Sequence, residues 1–118
     1  MVLHVKRIYA PPHPDDGARV LVDRLWPRGL RRDDADLDLW LRDAAPSDDL
    51  RRWFDHDPDR WDAFLERYAA ELDDAPHTWK PLAPLLVRGP VTLLYAARDE
   101  HHNNARALAH YLARTLDL

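Results

Sequence analysis

The run Val20-Leu21-Val22-Asp23-Arg24-Leu25-Trp26-Pro27-Arg28-Gly29 constrains the fold of this chain more than any other stretch. Its apolar start lacks the polar alternation of a half-exposed strand. That is the pattern of a strand covered on both faces, as in α/β sheets. Within a few residues the run carries one carboxylate and two guanidinium groups into a Pro/Gly turn. Ligands of open α/β sheets sit outside the carboxyl ends of the strands, so a site is expected here.

Two further runs are β-prone. Val2 to Tyr9 reads as a first strand, and Arg19 to Leu25 is the second. Val91 to Ala96 is the third, bounded by Gly89-Pro90 and by Arg98-Asp99-Glu100. Ala10 to Gly17, rich in Pro and Asp, is a loop. Between the second and third strands the period becomes helical. Leu37, Trp40, Leu41 and Ala44 predict a short helix that Pro46 stops. Ser47 caps the next, with Leu50, Trp53 and Phe54 on one face. Asp57-Pro58 starts the longest helix, whose stripe is Trp61, Phe64, Leu65, Tyr68 and Leu72. Over Thr78 to Arg88, Pro81 fits a first turn but Pro84 lies too deep for an uninterrupted helix. A last helix runs from about Asn103 to Leu116.

The expectation is a single α/β domain over residues 1–118: a small, mostly parallel sheet of about three strands packed by four to five helices. The second and third strands have ample chain between them for a parallel crossover. The loop between the first and second falls short of the dozen or so residues such crossovers need, which leaves antiparallel pairing open.

Composition removes several chemistries. Without cysteine there are no disulfides, thiolate nucleophiles or zinc–thiolate sites. A net charge of −4 gives no general attraction to nucleic acid. No apolar run approaches the roughly 18 residues of a membrane span, and the N-terminus has no signal-peptide pattern, so a cytoplasmic chain and no membrane partner are expected.

Arg24 and Arg28 are candidates for an anion-binding fork, since guanidinium offers planar paired donors, and Gly29 lets the backbone approach closely. In the alternative, Asp23 and Arg24 pair internally while Trp26-Pro27 plugs the core edge. The loop Arg98 to Asn104 is expected to face the same cleft, with Asp99, His102 and Asn103 as ligand contacts; in the alternative Asp99 is a helix N-cap and Asn103 bonds the turn. Adjacent His101 and His102 seldom aim at one ion, so no metal is assigned. His56, between Asp55 and Asp57, is either an acid/base group or a solvated turn residue. Arg51 can aim at the cleft from its helix. Trp40, Trp53 and Trp61 fall on apolar stripes and read as core, whereas Trp26 lies in a turn where an indole can cover a flat ligand. Tyr95 either presents or buries its hydroxyl.

Leu21 to Gly29, Ala45-Pro46-Ser47, Leu50 to Pro58 and Thr92 to Ala97 together resemble the YeaO-like family, within a domain of unknown function numbered 488. The resemblance covers nearly the whole chain, but it carries no established reaction. A related branch implies a small Rossmann-like fold in which a Val-Asp-x-Arg strand end faces a strand followed by two cysteine motifs. The corresponding residues here are Val22-Asp23-Arg24, Tyr95-Ala96-Ala97 and His102-Asn103-Asn104, and both cysteines are missing. Thiol chemistry is therefore not expected.

Taken together, the leading expectation is a site for a small anionic ligand, phosphate- or nucleotide-like, at the carboxyl ends of strands two and three. His56, Asp23 and Tyr95 are the groups that would serve any hydrolase or transferase step, although no nucleophile constellation is legible. The alternative is a non-enzymatic regulatory or nucleic-acid-associated module using Arg24, Arg28, Arg31 and Arg32 near Trp26. A homodimer face around Trp26 is a third possibility. The sequence names no cofactor.

Overall fold

The computed structural model describes residues 1–118 and contains one sheet of four parallel strands. In chain order these are β1 (Leu3–Arg7), β2 (Ala18–Leu21), β3 (Leu39–Trp40) and β4 (Val91–Tyr95). Their spatial order is β1-β4-β2-β3. The last strand in sequence therefore occupies the interior, and all five of its residues are buried. Its one polar side chain, Thr92, donates from Oγ1 to the Asp16 carbonyl at 2.7 Å. The α/β, mostly parallel, Rossmann-like class expected from the sequence is the observed one.

The open question of the first two strands is answered by insertion: β1 and β2 are parallel but not neighbours, because β4 lies between them. The short link Ile8–Gly17 must return from the carboxyl end of β1 to the amino end of β2 without a full crossover helix. Charge holds it down. Lys6 Nζ donates to the Pro11 carbonyl at 2.6 Å and to both Asp16 carboxylate oxygens at 3.1 Å. Arg19 Nη1 meets Asp16 Oδ2 at 2.5 Å. Its other nitrogens donate to the Asp36 and Ala35 carbonyls at 2.9 and 3.0 Å. Burial pushes the Asp16 carboxyl up, but the His13 N–H, Lys6 and Arg19 outweigh it and hold the group below the usual carboxylate range. Gly17 then enters β2 at φ 64° and ψ −137°, where a Cβ would lie 2.1 Å from the Pro90 carbonyl oxygen.

Five helices complete the chain: α1 (Arg32–Ala35), α2 (Asp48–Phe54), α3 (Trp61–Asp74), α4 (Leu82–Arg88) and α5 (Asn104–Thr115). Ser47 Oγ accepts from the Leu50 N–H at 3.1 Å and caps α2 as expected. On one face of the sheet Val20, Val22, Leu93 and Tyr95 share a core with Phe54, Phe64, Tyr68, Leu82, Leu108 and Leu112. On the other, Ile8, Leu21 and Leu94 lie under Trp26, Leu30, Leu37 and Trp40. No helix is long and apolar enough to cross a membrane.

Three sequence expectations need correction. The second strand ends at Leu21; Val22 still donates to the Leu94 carbonyl at 3.1 Å, but Leu25 is already exposed. The helix expected over Leu37 to Ala44 is an edge strand followed by a 3₁₀ turn at Arg42–Ala44. The otherwise open edge of β2 decides this, because Leu41 donates to the Leu21 carbonyl at 2.8 Å and Asp38 to the Arg19 carbonyl at 2.9 Å. Short apolar runs satisfy both periods, and pairing chooses between them. Finally, α4 begins at Leu82, which puts Pro84 in its first turn. An N–H there has no intrahelical acceptor to lose.

Removing the carboxylate in Asp16→Ala leaves the buried Arg19 charge without its counter-ion. Urea unfolding is expected to show a loss of about 3 kcal/mol or more. Gly17→Ala is expected to destabilise as well, by more than about 1 kcal/mol, since only glycine tolerates that backbone and no space exists for a methyl. Stability unchanged in either variant would contradict this account of the link.

Candidate functional site

Arg7 and Tyr95 are register partners at the carboxyl ends of β1 and β4. Just beyond them a cleft of about 730 Å³ opens, lined by Arg7, Tyr9, His56, Ala96, Ala97, Arg98 and Asp99. The Arg7 guanidinium donates to the Ala97 carbonyl at 3.0 Å and the Ala96 carbonyl at 3.4 Å, and lies 4.8 Å from the centre of the Tyr9 ring. The Tyr9 hydroxyl donates to the Arg28 carbonyl at 2.7 Å. Neither Arg7 nor Arg98 has a carboxylate partner in the chain. The N–H groups of Ala97 and Arg98 also have no acceptor within it.

His56 reaches the cleft from the corner after α2. Asp55 and His56 are both left-handed, at φ 48° and 55°, an arrangement that costs non-glycine residues on the order of 1 kcal/mol or more each. Asp57 then accepts from the Asp59 N–H at 3.0 Å and caps the turn that leads into α3. Asp99 Oδ1 accepts from the His101 and His102 N–H groups at 2.9 and 3.0 Å, and Oδ2 lies 3.0 Å from His102 Nδ1. Those bonds, the His101 N–H foremost, hold its carboxyl below the usual range. Asn103 Oδ1 accepts from the Arg106 N–H at 2.9 Å and caps α5, while its amide donates to the Asp99 carbonyl. His102 stands edge-on to Trp61 at 5.3 Å. Asp99 and Asn103 thus do the work of turn and cap.

Asp23 does not hold Arg24. Its Oδ2 accepts from the Ala96 N–H and its Oδ1 from Asn104 Nδ2, both at 3.0 Å, and the same amide donates to the Val22 carbonyl at 2.9 Å. Burial outweighs these bonds and raises its carboxyl above the usual range. The group laces the ends of β2 and β4 to α5. Asn104, its partner, belongs to the loop expected to face the cleft but was not among the candidate site residues.

The arginine fork does not form. Arg24 donates to the Ala45 and Pro46 carbonyls, each at 3.3 Å, and its Nε is 3.9 Å from Asp48. It lines a separate cavity of about 170 Å³ with Ser47, Tyr68 and Glu71. Glu71 there accepts from the Ser47 N–H and hydroxyl at 2.9 and 2.5 Å, and the Tyr68 hydroxyl donates to the Ala44 carbonyl. Arg51 pairs with Asp48 at 3.6 Å on the surface. Arg28 and Gly29 are exposed, Gly29 at φ 73°. Trp26 is half-buried: its Nε1 donates to the Leu30 carbonyl at 2.7 Å, Trp40 meets it edge-on and Arg32 stacks 4.6 Å above it. Tyr95 is buried, and burial raises its phenol. Among the residues singled out from sequence, His56 and Asp99 line the larger cleft. Arg7, Tyr9 and Arg98 were not singled out. The signal for Arg7 was a charge at the carboxyl end of an apolar strand, the same signal read at Asp23-Arg24.

The family model described as the inactive DUF488-N3 subclade matches residues 2–118. The chain belongs to this family. An uncharacterized protein of Mycobacterium tuberculosis is 44% identical over 110 residues, spanning 93% of this chain and 92% of that protein. The uncharacterized protein YeaO of Escherichia coli is 41% identical over 112 residues, spanning 95% of this chain and 97% of its own length. The YeaO-like resemblance is thereby established. No solved structure matches the chain.

The raised Asp23 carboxyl has a definite linkage sign. A protonated native carboxyl contributes stability that is complete below the unfolded value of about 3.9 and is lost as pH rises through the folded one. The stability of the wild type relative to Asp23→Asn should therefore fall as pH is raised from about 4, then level off. Urea midpoints across that range test it, and a flat or rising difference would contradict it.

Proposed function

We propose that this chain is a binding module without turnover, whose ligand is a small anion of the phosphate or nucleotide kind held at the carboxyl ends of β1 and β4. One observation carries the reading: the residues lining one cleft include two arginines without carboxylate partners and two whose backbone N–H groups have no acceptor in the chain. Charge-assisted bonds from such groups contribute about 1.5–3 kcal/mol each. The carboxyl ends of parallel strands are also where ligands of this fold class bind. The sequence pointed to the same end of the sheet but to Arg24 and Arg28; the proposal moves the donor role to Arg7 and Arg98.

Binding is favoured over catalysis because the acid/base candidates are dispersed. Asp23 is occupied by Ala96 and Asn104, Tyr95 is buried, and His56 alone lines the cleft. The Ser47 hydroxyl, bonded to Glu71, caps α2 and lines the separate cavity beside Arg24, and none of the residues lining the larger cleft is a serine, threonine or cysteine that His56 could activate. The description of the matching family as inactive favours the same reading.

Calorimetric titration with inorganic phosphate is expected to give saturable binding that weakens with salt. Arg98→Ala should reduce the affinity by about tenfold or more, and Arg28→Ala should leave it unchanged. Absence of binding, or equal affinity in Arg98→Ala, would overturn the proposal.

A further inference from the structure

We infer that the ligand carries a flat heteroaromatic ring as well as its charge, making it a nucleotide rather than a free phosphate, and that Tyr9 is the platform for that ring. The inference rests on the anion-binding reading of the cleft. Size is the first argument. The cleft is open, and its volume of about 730 Å³ leaves room for a ligand larger than an oxyanion. A lone oxyanion would engage the Arg98 segment and leave most of that space to water.

The second argument is how Tyr9 is held. Its hydroxyl is tied to the Arg28 carbonyl, and the Arg7 guanidinium packs against its ring. The turn that carries it is closed by the Ala10 N–H bonding to the Arg7 carbonyl at 3.0 Å. Yet the residue remains 40% exposed and borders the cleft. An aromatic fixed through its hydroxyl, its backbone and one side of its ring, with surface left uncovered, has already lost the freedom that stacking would otherwise remove. Base–aromatic stacking needs only such a surface and is tolerant of which base is presented. Tyr9 leaves β1 while Arg98 leaves β4, so ring and charge are met by different segments. Trp26, the aromatic suggested by the sequence for this role, is covered by Arg32 and Trp40.

The test titrates the full chain with AMP, UMP and inorganic phosphate. Both nucleotides are expected to bind about tenfold or more tightly than phosphate. Tyr9→Ala should erase that advantage, the nucleotides then binding no more tightly than phosphate does to the same variant. Tyr9→Phe, which keeps the ring, should retain most of the advantage. Nucleotides binding no better than phosphate, or an advantage that survives Tyr9→Ala, would overturn this inference and leave the anion site standing. No binding by any of the three would overturn both.

Discussion

Asp16 is the residue on which the architecture turns. A parallel sheet cannot be closed by a tight hairpin, and the link between β1 and β2 has no helix long enough to span the return. The carboxylate lies between Lys6 of β1 and Arg19 of β2 and receives the His13 N–H, so one side chain fixes the loop to both strands it joins. Gly17 completes the descent by letting the backbone approach Pro90 at a distance no methyl would permit. The gap between the two strands is then the width of one more strand, and β4 fills it. Its burial is a consequence of that spacing.

The same insertion creates the cleft. Because β4 sits between β1 and β2, the segment that follows it borders both strand ends, and Ala96–Asp99 lines the cleft with Arg7 and Tyr9 on the β1 side. Asp23 secures this exit from the other flank through the Ala96 N–H and Asn104, and that commitment removes it from any ligand. The charged strand ends thus differ in what lies beside them. At β2 Asp23 is taken up by amides, and Arg24 by backbone carbonyls with Asp48 nearby. At β1 Arg7 also donates to carbonyls, but neither it nor Arg98 beyond β4 meets a carboxylate, and both line the cleft.

Much of the fold was legible because it depends on local pattern. The strands β1, β2 and β4, the Ser47 and Asp57 caps, the stripe of α3 and the start of α5 are all written in residue order. The misread stretch, Leu37 to Ala44, has apolar spacing that serves a helix and a strand-plus-turn alike, and a hydrogen bond from Leu41 to a distant strand settled it. The site was less legible for a related reason. Asp23-Arg24 and Lys6-Arg7 carry the same signature at a strand end, and only their neighbours in space tell a structural group from an available one.

The sequence by itself determined the class of fold, the family and the absence of thiol chemistry, since each follows from composition or from runs of adjacent residues. The tertiary structure alone decided the order of the strands and which strand-end arginine borders the larger cleft. Those depend on a strand from the far end of the chain entering between the first two, and pairing over that separation leaves no mark in local periodicity.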